Sequence, residues 1–401
     1  MIATPLRDRR LLYVTALLRA MTTSTIGVTS GAYLATIGLD PRSLGAVISC
    51  GLAGAAVAAL FATFVADRLG RKRFLIATTV IGVIGTGWFA VAATPLSLCV
   101  AAFVGMVNGM GRDRGAALIL ELAVLPSTAP DAARTRVIAV YTMLQDVGHA
   151  VGALLAGLPA WLVAGTSLSN DASHRTLVLG CAACGLVAIP LYAALGSSIE
   201  AVRTKGPRVT TSSRKIITKI SALFALDGLG GGFLTTALLS YFLFERFGTS
   251  ETAIAGLFFG ARMMNAASHL GAAWLARRIG LVNTMVFTHI PSSLLLVTVA
   301  FAPSFGIAAV LFLVREGLVE MDVPTRQSYV LAVVRPEERT LASGITNLVR
   351  LGAWAVAPSF AGFLMGGGQL YLPLVVGAAM KIAYDVLLWR AFRAIRPPEE
   401  S

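Results

Sequence analysis

Apolar runs of about twenty residues recur along nearly the whole chain, separated by short polar or Gly/Pro stretches. At 1.5 Å per helical residue, each is long enough to cross a hydrocarbon core of ~30 Å. The runs cover 11–37, 43–66, 74–93, 96–121, 137–163 and 175–196, then 219–244, 252–276, 282–301, 304–334, 339–365 and 370–390. None alternates in the way of a barrel strand, so backbone satisfaction in lipid requires helices. The pattern predicts an all-α membrane protein with twelve transmembrane helices. Composition agrees: 13% of the 401 residues are charged and 56% hydrophobic, where a soluble domain carries about 25% charge. The same balance excludes disorder, and four cysteines do not make a disulfide scaffold. The first run follows Arg7, Arg9 and Arg10 like a signal sequence, but its length and the spans behind it predict a retained helix.

A net charge of +13 suggests nucleic acid until the basic residues are sorted by side. Twenty-two lie on the termini and the connections assigned to one face, three on the opposite face (Arg42, Arg175, Arg246), and eight inside spans. By the positive-inside rule, both termini are cytoplasmic in a plasma (inner) membrane. The basic excess is therefore topological, the partner is the lipid bilayer, and no nucleic acid is expected.

The two halves echo each other. ADRLG at 66–70 matches ARRIG at 276–280; ART at 133–135 with VGHAVGALLAG at 147–157 matches ERT at 338–340 with GAWAVAPSFAG at 352–362. This predicts an N-terminal six-helix bundle over 1–196, a basic cytoplasmic linker over 197–218 and a C-terminal bundle over 219–401. Paired six-helix repeats are a transporter layout. The chain resembles the major facilitator superfamily over essentially its full length. Asp67-Arg68-Leu69-Gly70-Arg71-Lys72-Arg73 is similar to that family's D-R-x-G-R-[RK] loop, with Thr63 where the family usually has glycine. The resemblance implies a cytoplasmic gate motif at Asp67, Arg68, Gly70 and Arg71. Gly148, Gly152 and Gly157 resemble an antiporter glycine pattern, with Ala153 and Ala156 as departures. GRDRG at 111–115 and MDVPTRQSY at 321–329 look like a bacterial subgroup of the family.

Sixteen ionisable side chains lie inside the spans, each costing on the order of 3 kcal/mol to insert at a helix centre. Helices 1, 4, 7 and 10 hold eleven of them, and helices 3, 6 and 9 none. The resemblance implies that helices 1, 4, 7 and 10 line a central cavity. By helical phase, Thr15, Arg19, Thr22, Thr23, Ser30 and Tyr33 form a polar stripe on helix 1. Arg262, Asn265 and His269 do so on helix 8, and Arg315, Asp322 and Arg326 on helix 10. On a continuous helix 4, Arg112 and Arg114 point about 200° apart. The substrate-cavity candidates are Arg19, Thr22, Thr23, Arg112, Asp113, Arg262, Asn265 and Arg315; this wealth of arginine suits a carboxylate- or phosphate-bearing solute. Glu316 and Glu320, like charges one turn apart, are candidate proton carriers, with Asp227, Asp322 and Asp146 beside them. Arg19 and Asp227 occupy corresponding places on helices 1 and 7 and are expected to pair as a gate. Lys381 and Asp385, four residues apart, read as a structural pair, with snorkelling relieving Glu121, Arg326 and Lys381. His149 and His289 read as hydrogen-bonded packing residues. Cys181 and Cys184 have no basic neighbour to activate them.

These residues predict a secondary active transporter of a small organic solute, coupled to protons, with efflux favoured over uptake and a monomer as the working unit. A lipid or amphiphile translocase of the same fold is the alternative. No G-x-x-x-x-G-K-[ST] and no H-E-x-x-H occurs, so neither ATP-driven pumping nor an intramembrane metalloenzyme is expected, and no cofactor or metal. The short loops leave no room for the signalling domain of a sensor.

Overall fold

The structure is a computed structural model that describes residues 3–130, 134–196, 199–200, 211–321 and 339–392. The described residues form sixteen α-helices and no strand: α1 (Ala3–Thr36), α2 (Pro41–Phe64), α3 (Ala66–Leu69), α4 (Arg71–Val91), α5 (Pro95–Gly105), α6 (Ala116–Val124), α7 (Arg134–Leu155) and α8 (Leu158–Gly165). There follow α9 (Asn170–Ala193), α10 (Thr211–Gly232), α11 (Thr236–Phe247), α12 (Glu251–Ile279), α13 (Leu281–Ala300), α14 (Phe305–Val319), α15 (Arg339–Met365) and α16 (Leu372–Phe392). Nine helical stretches among the described residues are long and apolar enough to cross a membrane, with shorter apolar helices beside them. The chain divides into two compact units, one of Met1–Thr204 with Thr235–Phe259 and the other of Lys205–Leu234 with Gly260–Ser401. Of the expected linker, 211–218 opens α10, while 197–198 and 201–210 lie outside the described residues.

Side-chain caps start the helices where the sequence places Ser, Thr or Asp before an apolar run. Asp40 accepts the Ser43 amide ahead of Pro41 on α2, Thr94 that of Ser97 ahead of Pro95 on α5, and Ser169 that of Ala172 on α9. Each satisfies an amide the helix leaves orphaned, and proline at the first position loses no bond.

Three of the expected continuous spans are broken. The run 96–121 is two helices, α5 and α6, separated by an irregular segment at 106–115. The run 137–163 breaks between α7 and α8 at Ala156–Gly157, and 219–244 between α10 and α11 at Phe233–Thr235. Phase arguments relating Arg112 to Arg114 therefore do not apply. The sequence signal of the break lies in Asn108, Gly109, Gly111 and the charged Arg112, Asp113 and Arg114, which a run drawn over 96–121 passes through.

Irregular backbone at membrane depth survives only where protein supplies its hydrogen bonds, and here the supply is traceable. Met106 takes a left-handed conformation (φ 51°) that ends α5. The Val107 amide turns back to Ala102 O (2.9 Å), and the Met110 amide donates to Asn108 Oδ1 (2.9 Å). Asn108 Nδ2 donates to Arg112 O (2.8 Å), and the Asp113 amide donates to His149 Nε2 (2.9 Å). Two of its carbonyls are met by the start of α11: Ala237 N–H donates to Gly109 O (3.0 Å) and Thr236 Oγ1 to Met110 O (2.7 Å). The first turn of one half-helix thus satisfies the gap in another span.

Close backbone approach holds the first unit together, as small residues allow in lipid. A Cβ on Gly54 would sit 2.0 Å from Phe103 O, fixing α2 against α5. One on Gly148 would meet Leu17 O at 2.6 Å, and one on Gly152 would meet Met21 O at 2.1 Å, fixing α7 against α1. Two of the glycines that resemble an antiporter pattern, Gly148 and Gly152, make this packing, and Gly157 lies against Thr252 and Ala255 of α12. Gly54→Val should destabilise the protein by about 1–3 kcal/mol, because only backbone can yield there. Gly87→Ala, with open space around it, should be neutral, both read as thermal unfolding in detergent.

Candidate functional site

Arg19, two turns into the apolar part of α1, is the node of the first unit. Its Nε donates to Asp113 Oδ2 (2.6 Å); Nη1 donates to Glu121 Oε1 and Tyr192 OH (both 2.8 Å); Nη2 donates to Glu121 Oε2 (2.9 Å) and Tyr141 OH (3.2 Å). A guanidinium has five N–H donors, and all five are committed. Glu121, fully buried on α6, also accepts from Tyr141 OH and Tyr192 OH (2.6 Å each) and Thr15 Oγ1 (3.0 Å). Gln145 Nε2 donates to Asp113 Oδ2 at 3.1 Å. Tyr141, Gln145 and His149 recur every fourth residue, so one face of α7 serves the cluster. That stripe, with Glu121 and Tyr192, is the part of the site that sequence reading missed; the spacing on α7 was its legible signal. Glu121 does not snorkel, because the fork of Arg19 and two phenols receive it.

A cavity of about 180 Å³ opens beside this cluster, lined by α1, α4, the irregular segment and α9. Arg19, Thr22 and Thr23 face it from α1; Thr78, Thr79 and Thr86 from α4; Asn108 and Asp113 from the break. Four predicted substrate residues, Arg19, Thr22, Thr23 and Asp113, are therefore brought together on one wall, while Arg112 lies beside them in the chain but off the wall. Asp146 is half-buried on α7.

The second unit holds two further clusters. Asp227 on α10 pairs with Lys381 Nζ (3.1 Å) on α16 and Arg350 Nη2 (2.9 Å) on α15. Lys381 Nζ lies 3.3 Å from His289 Nε2, and His289 Nδ1 meets the Asp385 carboxylate at 2.9 Å. Lys381 thus pairs with Asp227 and not, as its spacing suggested, with Asp385, which faces the imidazole from the adjoining turn. Arg19 and Asp227, expected to form a gate, each find opposite charge inside their own unit. Glu316 on α14 pairs with Arg315 and accepts from Asn265 Nδ2 (2.9 Å) on α12. Glu316 thus has a cation and a side-chain amide against it. Arg262 is buried nearby on α12, and half-buried Glu320 ends α14. Asp322 lies outside the described residues, as do Arg326 and most of MDVPTRQSY.

At the loop after α2, Arg71 Nε donates to Asp67 Oδ1 (2.7 Å), and Gly70 turns with φ 96°. The Glu200 carboxylate accepts the amides of Arg71 (2.6 Å) and Lys72 (3.3 Å), capping α4 where its dipole favours an anion. Arg68 is exposed.

The sequence model of the Major Facilitator Superfamily matches residues 12–358. The chain belongs to this superfamily. It is 23% identical to an uncharacterized membrane protein of Saccharomyces cerevisiae, YJR124C, over 95% of this chain and 93% of that one. Among solved structures it is similar to the nucleoside transporter NupG (TM-score 0.73, 15% identity, 97% and 99% of the two chains). It is also similar to a D-xylose-proton symporter (TM-score 0.72, 14% identity, 96% and 97%). A bacterial homolog to the human lysosomal transporter Spinster gives a TM-score of 0.68 at 18% identity, covering 96% and 95%. This superfamily member is accordingly a multi-pass membrane protein with the fold of transporters.

A buried charge stripped of its partner is expensive. Lys381→Met, which leaves Asp227 short of one cation, should cost about 3–5 kcal/mol. The double variant Lys381→Met/Asp227→Asn should recover part of that loss, measured as unfolding free energy in detergent micelles.

Proposed function

We propose that the protein is a secondary active transporter of a small organic solute, working by alternating access and coupled to protons. The observation that carries this reading is the interrupted span at 106–115. It borders a cavity whose wall includes the Arg19–Asp113 ion pair. Broken membrane helices with ionisable groups at a cavity mark solute and ion sites in transporters. The superfamily match over most of the chain supports the same reading. With both termini cytoplasmic in the inner membrane, as the basic residues suggest, the Asp67–Arg71 loop faces the cytoplasm and serves as a gate motif.

The coupling group in this reading is Asp113. Asp113 and Glu121 share the one guanidinium of Arg19. Glu121 accepts from the Arg19 fork, two phenols and a threonine, five donors in all. Asp113 has fewer donors and borders the cavity, so a proton taken there balances the three charges. Asp227 has two cations against it and Glu316 has Arg315, whereas Asp113 divides Arg19 with Glu121.

In proteoliposomes, a transported solute found by growth screening should exchange in counterflow and move protons, read by an internal pH dye. Arg19→Met should abolish both, since it leaves two buried carboxylates uncompensated. Asp113→Asn should silence solute-linked proton movement, whereas Glu316→Gln should retain it. A protein that neither exchanges solute nor moves protons across a broad panel would refute the transporter reading.

A further inference from the structure

We infer that the end of the first unit where α1 and α7 begin binds the phosphate of an anionic phospholipid headgroup. Arg9 and Arg136 hold it beside Tyr13, and the acyl chains lie along the exposed faces of the two helices. The site is separate from the cavity and stands whether or not the transporter reading does.

The geometry starts at Tyr13. Its hydroxyl donates across to Val137 O on α7 (3.1 Å), the carbonyl of the residue after Arg136. Arg9 precedes Tyr13 by one turn on the same face of α1. The charges of Arg9 and Arg136 both act on that phenol, so two guanidinium groups from remote parts of the sequence converge on one side chain. Like charges brought together repel unless an anion lies between them, and the protein supplies none. Among the described residues, Arg9, Arg10 and Arg136 make no hydrogen bond or ion pair. Asp8, the acid next to Arg9, is fully buried and receives the Gly196 amide (3.1 Å). Four other basic side chains at this end are committed. Arg7 Nη2 donates to Ala194 O (2.7 Å), Lys72 Nζ to Leu195 O (2.8 Å), Arg71 Nε to Asp67 Oδ1 (2.7 Å) and Arg134 Nε to Pro126 O (3.3 Å).

What lies beyond these arginines is apolar surface facing the bilayer. On α7, exposed Arg136 heads a stripe of exposed Met143, Val147 and Leu154, all within about 20° of one line at 100° per residue. On α1, exposed Arg10 heads exposed Val14. A cationic mouth above two apolar stripes has the profile of a diacyl phospholipid. The guanidinium fork matches phosphate oxygens bidentately, and tyrosine is at home at headgroup depth. A free phosphate ion would gain nothing from the stripes, so the occupant is the lipid. The basic residues assign this end to the cytoplasmic side, where anionic lipid is concentrated. A headgroup bound there ties together the helices that carry Arg19 and the Tyr141–Gln145–His149 face.

The test uses the full-length protein in phosphatidylcholine nanodiscs, with Val14→Trp as a fluorescent reporter and the protein without it as the background. Brominated phosphatidylglycerol or brominated phosphatidylcholine, added as the minor lipid, quenches the reporter when it occupies the site. One basic residue near the surface changes affinity for an anionic lipid by about fivefold, so phosphatidylglycerol should be preferred by at least about that factor. Arg9→Gln/Arg136→Gln should cut the preference below twofold, while Arg73→Gln/Arg390→Gln, which removes the same charge elsewhere, should leave it in place. Millimolar inorganic phosphate, at matched ionic strength, should not displace the lipid. Equal quenching by the two lipids with Arg9 and Arg136 intact overturns the proposal even if the double variant does not fold. So does a preference that survives Arg9→Gln/Arg136→Gln, one that Arg73→Gln/Arg390→Gln removes equally, or one that inorganic phosphate abolishes.

Discussion

In hydrocarbon a polar group has no solvent to fall back on, so each one must be met by another part of the chain, and this structure is organised around meeting them. The Asp113 amide is received by His149, its carboxylate by Arg19 and Gln145, and the carbonyls beside it by the first turn of α11. None of these contacts is local in sequence. An irregular segment inside an apolar span is supported here by three other helices, α1, α7 and α11, that arrive with the right atoms.

The two units meet the cost of buried charge differently. In the first, one arginine is divided between two carboxylates, and its planar fork makes the division possible; a lysine could not make five directed bonds. In the second, opposite charges run in a chain from Arg350 through Asp227, Lys381 and His289 to Asp385. Its Arg350, Asp227, Lys381 and Asp385 are two side chains of each sign. The arginine-centred cluster does not balance within itself and borders a cavity, which is where chemistry with a mobile cation belongs. The balanced chain needs no ligand and reads as cohesion between α10, α13, α15 and α16.

Membership of the superfamily constrains this less than it first suggests. Solved structures named for nucleoside and xylose transport match nearly the whole chain at 14–15% identity. At that distance the helices coincide while the side chains at the site are free to differ. The identity of the solute therefore has to be sought in the donors and acceptors this chain presents.

The sequence by itself determined the class of solvent and the all-helical build, because apolar length is a local property that each span carries independently. It also determined which residues would need partners, since Arg19, Asp113 and Asp227 are costly in lipid wherever they point. The tertiary structure alone decided who those partners are. Lys381 turned from Asp385 to Asp227, Glu121 became the hub of a cluster instead of snorkelling, and the span over 96–121 opened at Met106. Pairing energy depends on distances between helices that are remote in sequence, and periodicity along one helix contains no information about what its neighbours bring.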